Sequence, residues 1–352
     1  MALTRDETAV DHPGDRQSYA QRFTGARNRG LGAWVSWGLI VAIVIALVWA
    51  YQWDGNQTQA VAARTVREAA PLLLGALCGL IGERSGVINI GIEGQMLLSA
   101  FAGFVAASYS GNVWVGIAAA LASAAAAGLF LAWAAVTLKM DQIIAGTVIN
   151  IFAAGATSFY YVQGRTMPTI SNIAIPGLSD IPLVGLMLFN HGPLTYAALV
   201  LVVVVHVALF KTRWGLRTRA VGEHPSAADT VGIKVLRLRY VNLVVAALFA
   251  GLAGMHLIQA ASAFNRGMSN GRGFIALAVM LFGRYRPYGA LGAALLFGFF
   301  NALQAQLQFR GTFDIAPQFF GMIPYVLTIV VLAASGLRAR PPASVGKPYE
   351  KE

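Results

Sequence analysis

Stretches of about 20 apolar residues, each long enough to cross the hydrocarbon core of a bilayer as a helix, recur along this 352-residue chain and leave little room for a water-soluble fold. They run from Trp34 to Tyr51, Trp114 to Leu138, Gln142 to Val162, Leu194 to Phe210, Tyr240 to Ala261, Pro287 to Gln308 and Gln318 to Ser335. In lipid every backbone N–H and C=O must be satisfied within the segment itself, so such runs become helices. Composition agrees: 12% of residues are charged, about half the ~25% usual for a soluble domain. The expected fold class is an all-α, polytopic transmembrane helical bundle of about 8–10 membrane segments, some of them short or broken.

The breaks are visible in the sequence. From Ala69 the apolar signal continues to Ser108, too long for one crossing, and is interrupted by Gly82-Glu-Arg-Ser-Gly86. This predicts a short inward helix over 69–82, a charged turn, and an outward helix over 87–108. A second short inward element, Gly273 to Phe282, closes on Arg284-Tyr-Arg286. Each charged turn is followed by a Gly-containing apolar helix in the same direction, as a parallel internal repeat would give; the recurrence of Gly and Ala in membrane helices would give the same echo. Gly116, Gly128, Gly251 and Gly254 suit close helix approach. The division expected is a disordered cytoplasmic tail over 1–30, a membrane domain over 31–336 with an outer loop at 163–193 and an inner loop at 211–239, and a cytoplasmic tail over 337–352. The first apolar run ends in Trp49-Ala-Tyr-Gln-Trp53, aromatics that suit a membrane interface better than a cleavage site, so this span is expected to be retained.

Orientation follows from charge. Lys211 to Arg239 holds seven cations, Lys211, Arg213, Arg217, Arg219, Lys234, Arg237 and Arg239, against Glu223 and Asp229. The topology above puts 20 of the 26 Lys and Arg on the side of this loop, which is therefore expected to be cytoplasmic. The net charge of +11 is accounted for by that asymmetry and does not imply nucleic-acid binding. Within the loop, Pro225 suits a first helical turn and Ser226-Ala-Ala-Asp-Thr-Val predicts a short helix ending at Gly232. A short helix kept inside a basic loop suggests a docking partner; a solvated connector is the plainer alternative. The one cysteine, Cys78, can form no intrachain disulfide, and the five histidines are scattered without metal-ligand spacing.

Of fifteen acids, only Glu93 falls inside a span in this topology. A carboxylate at membrane depth needs a watered cavity or a partner. Asn89 lies four residues before it, which on a continuous helix would put both on one face, and Gln95 lies close behind. That face could line a polar pathway or pin a junction; Glu93 could instead be a helix-start acid held by backbone amides, or an ion-coupling carboxylate. Asn150, Gln259, Asn301 and Gln304 are further amides within spans, each as readily explained by bonding between helices. His206 and His256 are expected to be packed. No GxxxxGK[ST], HExxH or nucleophile-elbow sequence is present, so nucleotide hydrolysis, if it drives this chain, belongs to another polypeptide.

Gly82 to Leu98, GERSGVINIGIEGQMLL, closely resembles the signature of permease subunits of bacterial ABC importers in the branched-chain amino acid, ribose and nucleoside group, and most of all the second permease of nucleoside or simple-sugar systems. Leu216 to Gly232, LRTRAVGEHPSAADTVG, is similar to that family's cytoplasmic loop, and Gly271 to Ala278 with Leu281-Phe-Gly283 also fits. The likeness covers roughly residues 65 to 335; the long N-terminal tail and Arg284-Tyr-Arg286-Pro depart from it. It implies an inner-membrane importer subunit with both termini cytoplasmic. The expected partners are a second permease, a cytoplasmic ABC ATPase carrying ATP and Mg, and an extracytoplasmic substrate-binding lipoprotein; this chain itself would bind no cofactor and catalyse nothing. Arg219, Gly222, Glu223, Pro225, Ala227, Ala228 and Gly232 would then couple to the ATPase, their small side chains fitting a groove. Asn89, Glu93, Gln95 and Asn150 are the candidate substrate-pathway residues. The alternatives are a secondary transporter using Glu93 for ion coupling and a membrane scaffold with no conducting path.

Overall fold

A computed structural model describes residues 54–161, 164–181, 184–310, 322 and 340–350. The expected spans over 34–51 and 318–335 and the tail over 1–30 lie outside the described residues. The helices are α1 (Gly55–Arg84), α2 (Ile92–Ser110), α3 (Val113–Ala132), α4 (Gln142–Phe159), α5 (Val184–Phe189), α6 (Pro193–Lys211), α7 (Arg213–Glu223), α8 (Pro225–Thr230), α9 (Val235–Ala261), α10 (Arg272–Phe282) and α11 (Pro287–Arg310). A π-helical turn, Trp133–Thr137, extends α3. In the 163–193 loop a two-residue hairpin pairs β1 (Ile173–Ala174) with β2 (Asn190–His191) around α5.

The centre of the bundle is α1, buried on every side from Ala69 to Glu83, the pattern of a helix enclosed by others. It packs on α9, α10 and α11. It is also longer than the 69–82 segment expected: 30 residues begun by Asp54, whose carboxylate accepts from Gln57 N at 3.1 Å. At 1.5 Å per residue it spans about 45 Å, beyond the ~30 Å hydrocarbon core. The first half was hidden because Arg64, Arg67 and Glu68 lower its hydropathy, although Arg64 and Glu68 pair at i,i+4 across 3.7 Å as on any helix.

Close packing is set by glycine. A Cβ on Gly116 would stand 2.7 Å from Gly103 O, one on Gly128 2.5 Å from Ala247 Cβ, one on Gly251 2.8 Å from Ala124 Cβ, and one on Gly254 2.3 Å from Met96 O. These four positions bring α2, α3 and α9 together as small residues do in membrane bundles. The pairs Gly128 with Ala247 and Gly251 with Ala124 show α3 and α9 running antiparallel.

The outward helix expected from residue 87 begins instead at Ile92. Residues 87–89 have no regular secondary structure and follow a turn at Ser85 and Gly86. Gly86 sits at φ +88°, where a side chain would be strained, and Ile88 N donates to Gln142 Oε1 of α4 at 2.7 Å instead of continuing a helix. Asn89 and Glu93 therefore do not share a helix face. Gly75 lies beside Ala276 and Gly79 beside Met280, and Arg84 Nη2 donates to Tyr285 O at 2.9 Å. So α1 and α10 run side by side in the same direction, while Gly298 of α11 against Thr65 and Ala69 shows α11 returning. These helix directions agree with the parallel echo around Gly82 and Gly283.

Candidate functional site

Two helices begin in the middle of the bundle. A Cβ on Gly75 would lie 2.7 Å from Ala276 Cβ and 3.6 Å from Ile92 Cγ2, so the starts of α2 and α10 stand beside α1 about 14 Å short of its Arg84 end. A helix start carries unsatisfied N–H groups and the positive end of the dipole. Glu93, in the first turn of α2, serves both: its Oε1 accepts from Gly271 N at 2.8 Å and its Oε2 from Gly273 N at 2.6 Å, at the head of α10. Gly273 leaves no room for a side chain, since its Cβ would meet Glu93 Cα at 2.5 Å. The carboxylate caps a helix other than its own.

The other pathway candidates gather at the same junction. Asn150 of α4 brackets the head of α2: its Oδ1 accepts from Gly94 N at 2.7 Å and its Nδ2 donates to Ile90 O at 3.0 Å. Asn89 Nδ2 donates to Gln95 Oε1 at 3.0 Å and to Cys78 Sγ at 3.5 Å, and Asn89, Gln95 and Cys78 are wholly buried. The four residues brace the re-entrant stretch 85–91 and the start of α2. Among the described residues, no group of three or more His, Cys, Asp or Glu converges as a metal site.

Above the junction, on the side away from α7, two adjoining cavities open beside α1 and α9, one of about 180 Å³ closed by residues 170–172 and the start of α6, the other of about 460 Å³ closed by the 265–272 segment. Arg67, His256 and Ala260 border both. Glu68 pairs with Arg272 at 3.4 Å across the larger one, and Gln259 of the smaller accepts from Ile170 N at 3.0 Å. The reading that Glu93 alone among the acids lies in a span is thus corrected: Glu68 and the buried Glu83, which accepts from Tyr285 OH at 2.8 Å, both belong to α1. The available signal was the helical phase of Arg64 and Glu68 with the apolar run that follows. His256 is packed as expected, with Nε2 3.0 Å from Thr195 Oγ1, and His206 rests on Phe210 and Tyr288.

On the opposite, basic face the loop is largely helical. Gly222 lies so close to the end of α1 that a Cβ would be 2.3 Å from Arg84 O. Arg219 turns back onto the Phe210 ring, 5.1 Å from its centroid. Ala228 packs with Val221 and Val235, and Gly232 at φ +83° ends the turn. Glu223, Ser226, Ala227 and Val231 are left exposed beside the half-buried Pro225. The small helix thus projects an edge while the buried Ala228 packs it onto the bundle.

The segment 340–350, within the expected C-terminal tail, is strapped across this face. Ser344 N donates to Gly222 O at 3.0 Å, Ala343 N to Glu223 Oε2 at 3.2 Å and Gly346 N to Gly86 O at 3.2 Å. Tyr349 OH donates to Asp229 Oδ2 at 2.9 Å, and Lys139 pairs with Glu350 at 2.6 Å, which holds the Glu350 carboxyl below the usual range. Arg239, counted among the loop cations, is buried in α9. It donates to Ser85 O at 3.1 Å and Lys347 O at 3.2 Å.

The family described as "Branched-chain amino acid transport system / permease component" matches residues 61–332. The chain is 41% identical over 303 residues to the guanosine ABC transporter permease protein NupQ of Bacillus subtilis, covering 82% of this chain and 95% of that protein. It is 36% identical over 311 residues to the nucleoside ABC transporter permease protein NupC of Lactococcus lactis, covering 84% and 98%. A second guanosine ABC transporter permease protein of Bacillus subtilis, NupP, is 27% identical over 254 residues, covering 66% and 70%. With a match of this extent over a bundle of helices interrupted at mid-depth, the chain belongs to the branched-chain amino acid transport system permease family and is a permease subunit of an ABC transporter.

Proposed function

We propose that this chain is one of two permeases of an ATP-driven importer for nucleosides or related simple sugars, seated in the inner membrane with the α7–α8 face in the cytoplasm. A binding lipoprotein delivers solute at the opposite face, and a separate ABC ATPase, which holds ATP and Mg, docks on α8. The observation that carries the reading is the exposed edge of Glu223, Ser226, Ala227 and Val231, held rigidly to the bundle by Ala228 and by Gly222 against Arg84 O. Resemblance to both NupQ and NupP supports a pair of related permeases. Ile144, Val148, Ile151 and Phe152 form an exposed apolar stripe on α4 suited to lipid or to the second permease.

In this mechanism closure of the ATPase displaces α8 and α7. Because Gly222 abuts Arg84 O and is tied through Ser344 to Arg239 and Ser85, the displacement reaches the re-entrant stretch 85–91 without crossing a flexible linker. Ion coupling through Glu93 is disfavoured by geometry: both oxygens accept backbone amide protons at the head of α10. The test is purification with the neighbouring ATPase. Co-elution lost on deleting 223–232, together with ATP-dependent uptake, supports the reading; gradient-driven uptake by the isolated chain would overturn it.

A further inference from the structure

The groups that first suggested a pathway, Asn89, Glu93, Gln95 and Asn150, bond one another and helix starts; the atoms among them without a partner in the described residues, Asn89 Oδ1 and Gln95 Nε2, belong to wholly buried side chains that border neither cavity. Side chains with bonding capacity to spare also border the cavities. Arg67 lines both cavities and has no hydrogen-bond or ion-pair partner among the described residues. Around it, Gln259 Nε2, His256 Nδ1 and Arg272 Nε are each without a partner. Buried unpaired polar atoms are rare in folded proteins; of these residues Gln259 borders the smaller cavity, Arg272 the larger and His256 both. These three atoms are themselves closed off from solvent, so the group that can reach a molecule in the cavities is the exposed Arg67, whose guanidinium donors call for oxygen or ring-nitrogen acceptors.

Charge narrows the class. Arg272 is paired with Glu68 and Arg266 stacks over the Tyr161 ring at 5.0 Å, leaving Arg67 as the one cation of the wall without a partner among the described residues. One free guanidinium among amides favours hydroxyl and carbonyl acceptors over a multiply charged anion, while Pro71 and Leu257 supply an apolar side. The larger cavity, about 460 Å³, falls in the range usual for small-molecule sites. Its wall segment 265–272 runs directly into Gly271, whose amide is held by Glu93. A molecule resting there lies immediately outside the junction of the two helix starts.

We propose that this cavity is a solute-contact site for an uncharged, hydroxyl-bearing molecule of nucleoside size, with Arg67 as its principal donor. The proposal rests on the functional reading above and adds a place on this chain to it. Ala260 is exposed, borders both cavities, and Cys78, the one native cysteine, is wholly buried, so Ala260→Cys gives a specific label position. The assembled importer carrying it, in right-side-out membrane vesicles, is treated with a membrane-impermeant maleimide.

Guanosine at about ten times its apparent Kd is expected to slow labelling roughly tenfold, the occupancy given by simple mass action. Arg67→Gln abolishes that protection and Arg67→Lys retains part of it. Uptake of guanosine in the same vesicles reports the functional reading separately. Uptake without protection, protection by inorganic phosphate alone, or full protection in Arg67→Gln overturns the site and leaves that reading standing. Failure of ATP-dependent uptake overturns both.

Discussion

Arg239 and Ser85, more than 150 residues apart in sequence, are joined by a hydrogen bond from the Arg239 Nε–H to the Ser85 carbonyl at 3.1 Å. The same guanidinium reaches Lys347 O and Ser344 Oγ. Three strands of chain thus meet on one planar cation, and only arginine offers donors in that fork. Arg239→Lys is expected to behave like a loss: about 1–3 kcal/mol of stability, the usual cost of leaving buried acceptors unpaired, read as a lower Tm of the purified permease. A wild-type Tm for the lysine variant would show the fork to be unused.

Glu93→Ala strands two amides at the head of α10 and is expected to cost about 2–4 kcal/mol, from the penalty for each buried donor left unmet. Glu93→Gln should cost less, since one oxygen survives. Because the role is capping, the pH dependence of ATP-driven uptake should not change in the glutamine variant; a shifted profile would instead argue for proton coupling.

Glycine substitutions divide sharply by location. Gly273→Ala and Gly222→Ala place a methyl group 2.5 Å from Glu93 Cα and 2.3 Å from Arg84 O, against backbone in each case. Gly292→Ala meets nothing within 4 Å. Overpacking costs about 1–3 kcal/mol and more where neighbours cannot yield, so folded yield in detergent should fall for the first two and hold for the third.

Removing residues 341–352 deletes the strap between Glu223, Asp229 and Gly86. ATPase activity of the assembled transporter is expected to persist while uptake per ATP declines. Acid should loosen the same strap. A carboxylate held below its ordinary value, as Glu350 is by Lys139, contributes above that ordinary value and loses its contribution as pH falls through the lowered one. Unchanged coupling in the truncated protein would show the strap to be passive.

Ala227→Trp adds bulk on the exposed edge of α8, while Ala228 keeps its anchor. Co-purification with the ATPase should be lost at an unaltered permease Tm. Retained co-purification would place the docking contact elsewhere.

Much of this architecture is readable from hydropathy and turn residues. The helices α3, α4, α6 and α10 fall within a few residues of the apolar runs, and Pro225 and Gly232 delimit α8 as their backbone preferences require. What escaped reading depends on distant partners. The sequence around Asn89 and Glu93 has helical spacing, but Gln142 and Asn150 of α4 capture the amides of Ile88 and Gly94 and fix the break. Arg67 and Glu68 look like the end of a span because polar residues interrupt an apolar window, yet here they face a cavity. Nothing in Pro341 to Glu350 signals order; its hydrogen bonds are mostly to main-chain atoms and to Glu223, Asp229 and Lys139, which a one-dimensional pattern cannot pair.

The bond from Glu93 to Gly271 also has a consequence for biogenesis. Its two ends are 178 residues apart, so when α2 enters the bilayer during synthesis the carboxylate arrives well before its amides exist. Until α10 emerges Glu93 has neither of the amides it caps, so the α2–α10 junction is among the last parts of the bundle that synthesis can complete.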